Sequence, residues 1–105
     1  MNKIWIILSL VTLFISDLKS QDTVKVATYN LLRYGSNTNR NIDFKKVIDL
    51  IDADLYITQE LTNNSGVTNF LNNVLNKDTD KFLSAKFYDE TDIDQALFYD
   101  KNKFE

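Results

Sequence analysis

Two polar residues stand where short apolar runs stop, and both are of types that do phosphate or metal chemistry. Asn30 closes Val24-Lys25-Val26-Ala27-Thr28-Tyr29-Asn30, and Glu60 closes Asp52-Ala53-Asp54-Leu55-Tyr56-Ile57-Thr58-Gln59-Glu60. A carboxylate such as Glu60 can hold Mg²⁺ through one oxygen while the ion keeps waters and takes phosphate oxygens as its other ligands. The plainer role is a solvated Glu after a strand, or a cap for the segment that follows. Asn30 offers an amide N–H to a phosphate oxygen and a carbonyl to a metal-bound water. Its plainer role is to close a strand before a turn. Gln59, next to Glu60, reads as an amide that holds backbone rather than as a ligand.

The elements that must carry this pair follow from periodicity. Val24, Val26 and Thr28 alternate with Lys25, Ala27 and Tyr29, which predicts a strand, apolar enough on both sides to be covered on both faces. Residues 33–41 form a polar loop around Gly35. Phe44, Val47, Ile48 and Ile51 fall at helical spacing, with Asn41 or Asp43 able to cap the first turn. Residues 55–59 are the second strand, residues 62–66 a loop, and Val67, Phe70, Leu71, Val74 and Leu75 a second helical stripe. Residues 82–88 and 96–99 read as two further strands, a hairpin joined by the acidic loop 89–94. The expected class is α/β, in the order β-α-β-α-β-β.

Composition narrows the chemistry. Lys3 precedes an apolar run over residues 4–15 broken only by Ser9 and Thr12, and Leu18-Lys19-Ser20 follows. That is the build of an export signal cleaved near Ser20, since a membrane span takes roughly 20 apolar residues; a retained N-terminal anchor is the alternative. Cleavage would leave 85 residues, secreted or periplasmic, with 10 Lys and Arg against 14 Asp and Glu. The chain has no Cys, which excludes disulfides and thiol chemistry, and no His, which excludes Ser-His and Cys-His pairs. It lacks the basic stripe of a protein that grips nucleic acid through the backbone alone. It ends at Lys103-Phe104-Glu105, directly after a strand, and so reads as an interrupted fold.

Other candidates weigh toward structure. Arg40 could contact phosphate, but an Arg just before a helix more often snorkels or pairs, here with Asp43. Asp52 and Asp54 read as a turn with capping side chains. Asp89, Glu90, Asp92 and Asp94 lack the Gly and terminal Glu of a calcium loop and read as a solvated hairpin. Tyr29, Tyr34 and Tyr56 are expected in the core or at its rim.

Taken in order, these pieces resemble the N-terminal portion of the endonuclease/exonuclease/phosphatase superfamily. The opening strand ends in Thr28-Tyr29-Asn30, like that family's Thr-x-Asn. The second ends in Gln59-Glu60, and Ala96-Leu97-Phe98-Tyr99-Asp100 is similar to its later Ala-Ile/Leu-Phe/Leu-Tyr strand. The resemblance implies a DNase I-like four-layer αββα sandwich, of which residues 21–105 would be the front part. It implies that Glu60 is the metal ligand, for Mg²⁺ or another divalent ion such as Mn²⁺ or Ca²⁺, with Asn30 beside it on the phosphate or the metal's water shell. The implied substrate is a phosphodiester, in nucleic acid or a phospholipid head group. A complete member adds an Asp-x-Asn motif and a His–Asp pair, both expected to be missing here, so hydrolysis by this chain alone is not expected. The competing expectation is an exported, non-catalytic binding module that uses the acidic loop as its surface.

Overall fold

The computed structural model describes residues 23–104, so the export signal expected over residues 1–20 lies outside the described residues. The elements are β1 (Val26–Tyr34), α1 (Asn41–Ile51), β2 (Leu55–Leu61), α2 (Asn64–Phe70), β3 (Phe82–Ser84) and β4 (Asp94–Asp100). Helix α2 runs on as a π-helical turn over Leu71–Leu75. One four-stranded sheet has the order β1-β2-β4-β3. Strands β1 and β2 are parallel and connected through α1, and the other two pairs are antiparallel. The class is α/β, as the alternating periods imply.

Local chemistry explains most boundaries. Helix α1 buries Phe44 and Ile48 of its predicted stripe, and ends where Asp52 turns left-handed (φ 50) with its N–H on the Ile48 carbonyl. No side chain caps its start, contrary to the roles expected for Asn41 and Asp43, because Asn41 is spent in the interior. Asn63 caps α2 by accepting the Gly66 N–H at 3.0 Å, so the helix begins inside what reads as loop. Strand β3 is three residues long, not seven. It still pairs antiparallel with β4, Phe82 opposite Asp100 and Ser84 opposite Phe98.

Aromatic rings hold the layers together. Tyr34, Phe44, Phe70 and Phe98 form a chain of edge-on and tilted contacts with centroids 5.3–6.1 Å apart. Tyr29 and Tyr56 extend it toward Phe44 and Phe82. The buried Tyr34 hydroxyl donates to Asn41 Oδ1 at 2.6 Å. Burial pushes its pKa up to about 12 from 10.0. The folded chain thus holds this proton more tightly than the unfolded chain does, so its contribution to stability is full below pH 10 and disappears as pH rises through about 12. Urea midpoints measured across that window are expected to fall less steeply in Tyr34→Phe than in the parent.

The helices cover one face of the sheet, where Leu31, Tyr34, Tyr56, Thr58, Leu61, Ala96 and Phe98 are buried. The other face carries two apolar rows set by register. Val26 lies beside Leu55, Leu55 beside Tyr99 and Tyr99 beside Leu83; in the next row Thr28, Ile57 and Leu97 stand side by side. Val26 is 56% exposed and Leu83 43%. Among the described residues Phe104 packs edge-on against Tyr99 at one corner, and no helix lies over the rest. Strand β1 is therefore an edge strand open on one face, not one covered on both.

Candidate functional site at the paired bulges

Both ladders of β2 break at the same level, and Asn30 and Glu60 sit at that break. Toward β4, Thr58 pairs with Ala96 and Leu61 with Asp94, so Gln59 and Glu60 together face the single Gln95. Toward β1, Asn30 pairs with Gln59 and Tyr34 with Leu61, so Leu31, Leu32 and Arg33 stand opposite Glu60 alone. The extra residues require unusual backbone. Leu32, Arg33 and Glu60 have φ of 51, 54 and 61, left-handed values that cost a non-glycine residue roughly 1–2 kcal/mol each. Regular alternation would send Glu60 to the core side with Tyr56 and Thr58. With the bulge, Leu61 takes that place at 0% exposure and the carboxylate stays out of the core.

Specific bonds hold this shape. Arg40 donates from Nη1 to the Leu31 carbonyl (2.8 Å) and from Nη2 to the Leu32 carbonyl (2.9 Å). Its guanidinium lies 5.1 Å from the Phe44 ring centroid. Arg40 is thus a clamp on the β1 bulge and is paired with neither Asp43 nor a free phosphate position. Asn30 Oδ1 accepts the Leu32 N–H at 2.9 Å, which fixes the side chain and leaves its Nδ2 to donate. Thr62 returns the chain to β1 by donating its N–H (2.9 Å) and Oγ1 (3.3 Å) to the Tyr34 carbonyl. Gln59 Nε2 donates to the Ile57 carbonyl at 3.2 Å, the backbone-holding role read from its sequence position. Glu60 is half-buried, and its carboxylate makes no hydrogen bond or ion pair with any described residue.

Two of the other acidic candidates are spent elsewhere. Asp54 accepts the Lys25 N–H at 2.9 Å and pairs with Lys103 at 3.0 Å, contacts that hold its carboxyl below the usual range. Asp94 accepts from the Thr91 N–H and hydroxyl, closing the acidic loop on itself. One Asp-x-Asn spacing does occur, Asp100-Lys101-Asn102, against the expectation of none. Asp100 Oδ1 accepts the Asn102 N–H at 2.9 Å in a local turn. It follows Tyr99, which pairs with Leu55, and donates its N–H to the Asp54 carbonyl, so it lies six residues of strand, about 20 Å, from Glu60. Among the described residues no three His, Cys, Asp or Glu side chains gather. A lone carboxylate suits Mg²⁺, which keeps several waters and binds through one or two carboxylates plus phosphate, better than Ca²⁺, which takes six to eight oxygens.

Sequence reasoning missed the amide network behind the site. Asn69 is 7% exposed. Its Oδ1 accepts from Asn41 Nδ2 (2.9 Å) and Asn73 Nδ2 (2.8 Å), and its Nδ2 donates to the Gly35 carbonyl (3.2 Å). The signal was legible as two polar stripes at four-residue spacing, Asn64-Thr68-Asn72 and Ser65-Asn69-Asn73, beside the apolar stripe. Gly66 makes the close approach possible: a Cβ there would lie 2.7 Å from the Tyr34 carbonyl oxygen and 3.2 Å from Gly35 Cα. Gly66→Ala is expected to cost about 1–3 kcal/mol by forcing α2 off the β1 exit, read as a lower urea midpoint. An unchanged midpoint would show that the contact is loose. No family model matches this chain, and no match to it is found among curated proteins or solved structures.

Proposed function

We propose that this chain is the metal-holding part of an exported, divalent-cation-dependent phosphoester hydrolase with a DNase I-like sandwich, acting on a phosphodiester in nucleic acid or a phospholipid head group. One observation carries the reading: the register Asn30 to Gln59 brings Asn30 and Glu60 to neighbouring positions at coincident bulges, where Glu60 is left-handed and unpaired among the described residues. Strained backbone that exposes an unpartnered carboxylate is more typical of binding sites than of scaffolding. A divalent cation held there would neutralise charge on a phosphate. Glu60 would hold the ion through one oxygen, and Asn30 Nδ2, the amide group left over by the Leu32 contact, would donate to a phosphate oxygen. The open apolar face suits a second sheet packed about 10 Å away, as a sandwich requires.

Turnover needs groups that this chain does not supply at the site. It has no His to titrate near neutrality, and its Asp-x-Asn triplet is a turn at the far end of the sheet. The expected behaviour of the 105-residue chain is therefore Mg²⁺-dependent binding of inorganic phosphate without hydrolysis of a nitrophenyl phosphodiester. Titration calorimetry with phosphate, with and without Mg²⁺, tests it. Phosphate binding that is indifferent to Mg²⁺, or untouched by Glu60→Ala, would refute the proposal.

A further inference from the structure

We infer that the Asn-rich cleft between the β1 exit loop and α2 is a binding site for a neutral, hydroxyl-rich ligand of the sugar or cyclitol class. It is independent of the Glu60 chemistry. The cleft has a volume of about 500 Å³. Its rim is Ser36 and Thr38 from the loop and Asn64, Ser65, Thr68 and Asn72 from α2 and the π-helical turn. It lies beyond the carboxyl ends of the adjacent parallel strands β1 and β2, where α/β sheets display their ligands.

The lining chooses the ligand class by elimination. Among the described residues no Lys or Arg lines the cleft to offset an anion, no Asp or Glu to hold a cation, and no apolar or aromatic side chain to bury a greasy group. What remains is paired donors and acceptors. An amide presents N–H and C=O side by side, and a hydroxyl both gives and accepts, which matches the vicinal hydroxyls of a sugar ring. A peptide fits less well, because the cleft offers no strand edge to its backbone and no pocket to its side chains.

The floor is fixed and the rim is free. Asn69 is more than nine-tenths buried and locked by Asn41, Asn73 and the Gly35 carbonyl. The side chains of Ser36, Thr38, Asn64, Ser65, Thr68 and Asn72 make no hydrogen bond with any described residue. A preorganised base under unspent polar groups keeps the ordering cost of binding small. Asn72 and Asn73 follow Asn69 by three and four residues, positions that share one helical face, and all three line the cleft.

The experiment is ¹⁵N–¹H NMR on the full chain titrated with glucose, N-acetylglucosamine and myo-inositol, with sodium sulfate and triglycine as separate arms. At least one neutral polyol is expected to move the side-chain amide signals of Asn64, Asn69, Asn72 and Asn73 with a Kd of about 1 mM. Thr68→Val combined with Asn72→Leu, both exposed positions, should weaken that binding at least about tenfold while the melting curve stays in place. Ser65→Ala, also at the rim, should weaken it less. No polyol shift in the cleft, or equal shifts with sulfate or triglycine, would overturn the assignment. So would polyol binding that survives the double substitution.

Discussion

Phe70→Ala is expected to cost about 3–5 kcal/mol of folding stability, about half of what a domain of this size has. The ring is fully buried and touches Tyr34 at 5.9 Å, Phe44 at 6.1 Å and Phe98 at 5.3 Å. It joins α2 to α1, β1 and β4 together. A domain this small has only about 5–10 kcal/mol to lose, and with no Cys it has no covalent staple. Urea denaturation followed by circular dichroism should show the midpoint falling by about 2 M or more, given slopes near 1–2 kcal/mol/M. Leu50→Ala, at a site 85% exposed, should stay within about 0.5 kcal/mol. Similar losses from both would mean that the aromatic cluster does not carry the core.

Glu60→Gly and Glu60→Ala should separate strain from function. At φ 61 glycine escapes a left-handed cost of roughly 1–2 kcal/mol but gives back about 0.5–1 in unfolded-state freedom. Glu60→Gly is thus expected to gain up to about 1 kcal/mol, and Glu60→Ala, which keeps a Cβ, to change stability little. Both remove the carboxylate, so both should lose divalent-cation binding. A residue that binds tightly in place of being stable gives opposite signs in the two measurements, which is how a functional position differs from a packing one. A stability loss above about 1 kcal/mol in Glu60→Gly would show instead that the carboxylate supports the bulge.

How much of this could be read in advance depends on the scale of the cause. The two helical stripes, the strands and their pairing into a hairpin follow from local period, and Phe44, Ile48, Val67, Phe70 and Val74 are buried as their spacing predicts. Asp52 ends α1 through its own left-handed backbone, a local role, whereas the Asp54 carboxylate caps nothing nearby and accepts the Lys25 N–H from 29 residues away. The bulges were not legible. Nothing in Asn30-Leu31-Leu32-Arg33-Tyr34 marks three left-over residues, because the break is set by Arg40 gripping two carbonyls from eight and nine residues away. For the same reason β1 runs past Asn30 to Tyr34, and Asn30 is a mid-strand residue rather than a strand end. Arg40 was visible as a residue but not as a clamp, since its partners are backbone atoms that carry no sequence signature. Asn41 looked like a cap and became an interior partner of Tyr34 and Asn69, a long-range contact that overrides local capping preference.

Paramagnetic broadening by Mn²⁺ in the ¹⁵N–¹H spectrum of the full chain most directly tests whether Asn30 and Glu60 hold a divalent cation. Substoichiometric Mn²⁺ should selectively broaden the signals of Asn30, Gln59, Glu60 and their bulge neighbours, be displaced by Mg²⁺, and lose its effect in Glu60→Ala. Broadening centred on the acidic loop around Asp89–Asp94, or unchanged in Glu60→Ala, would contradict the metal site and with it the phosphoester reading.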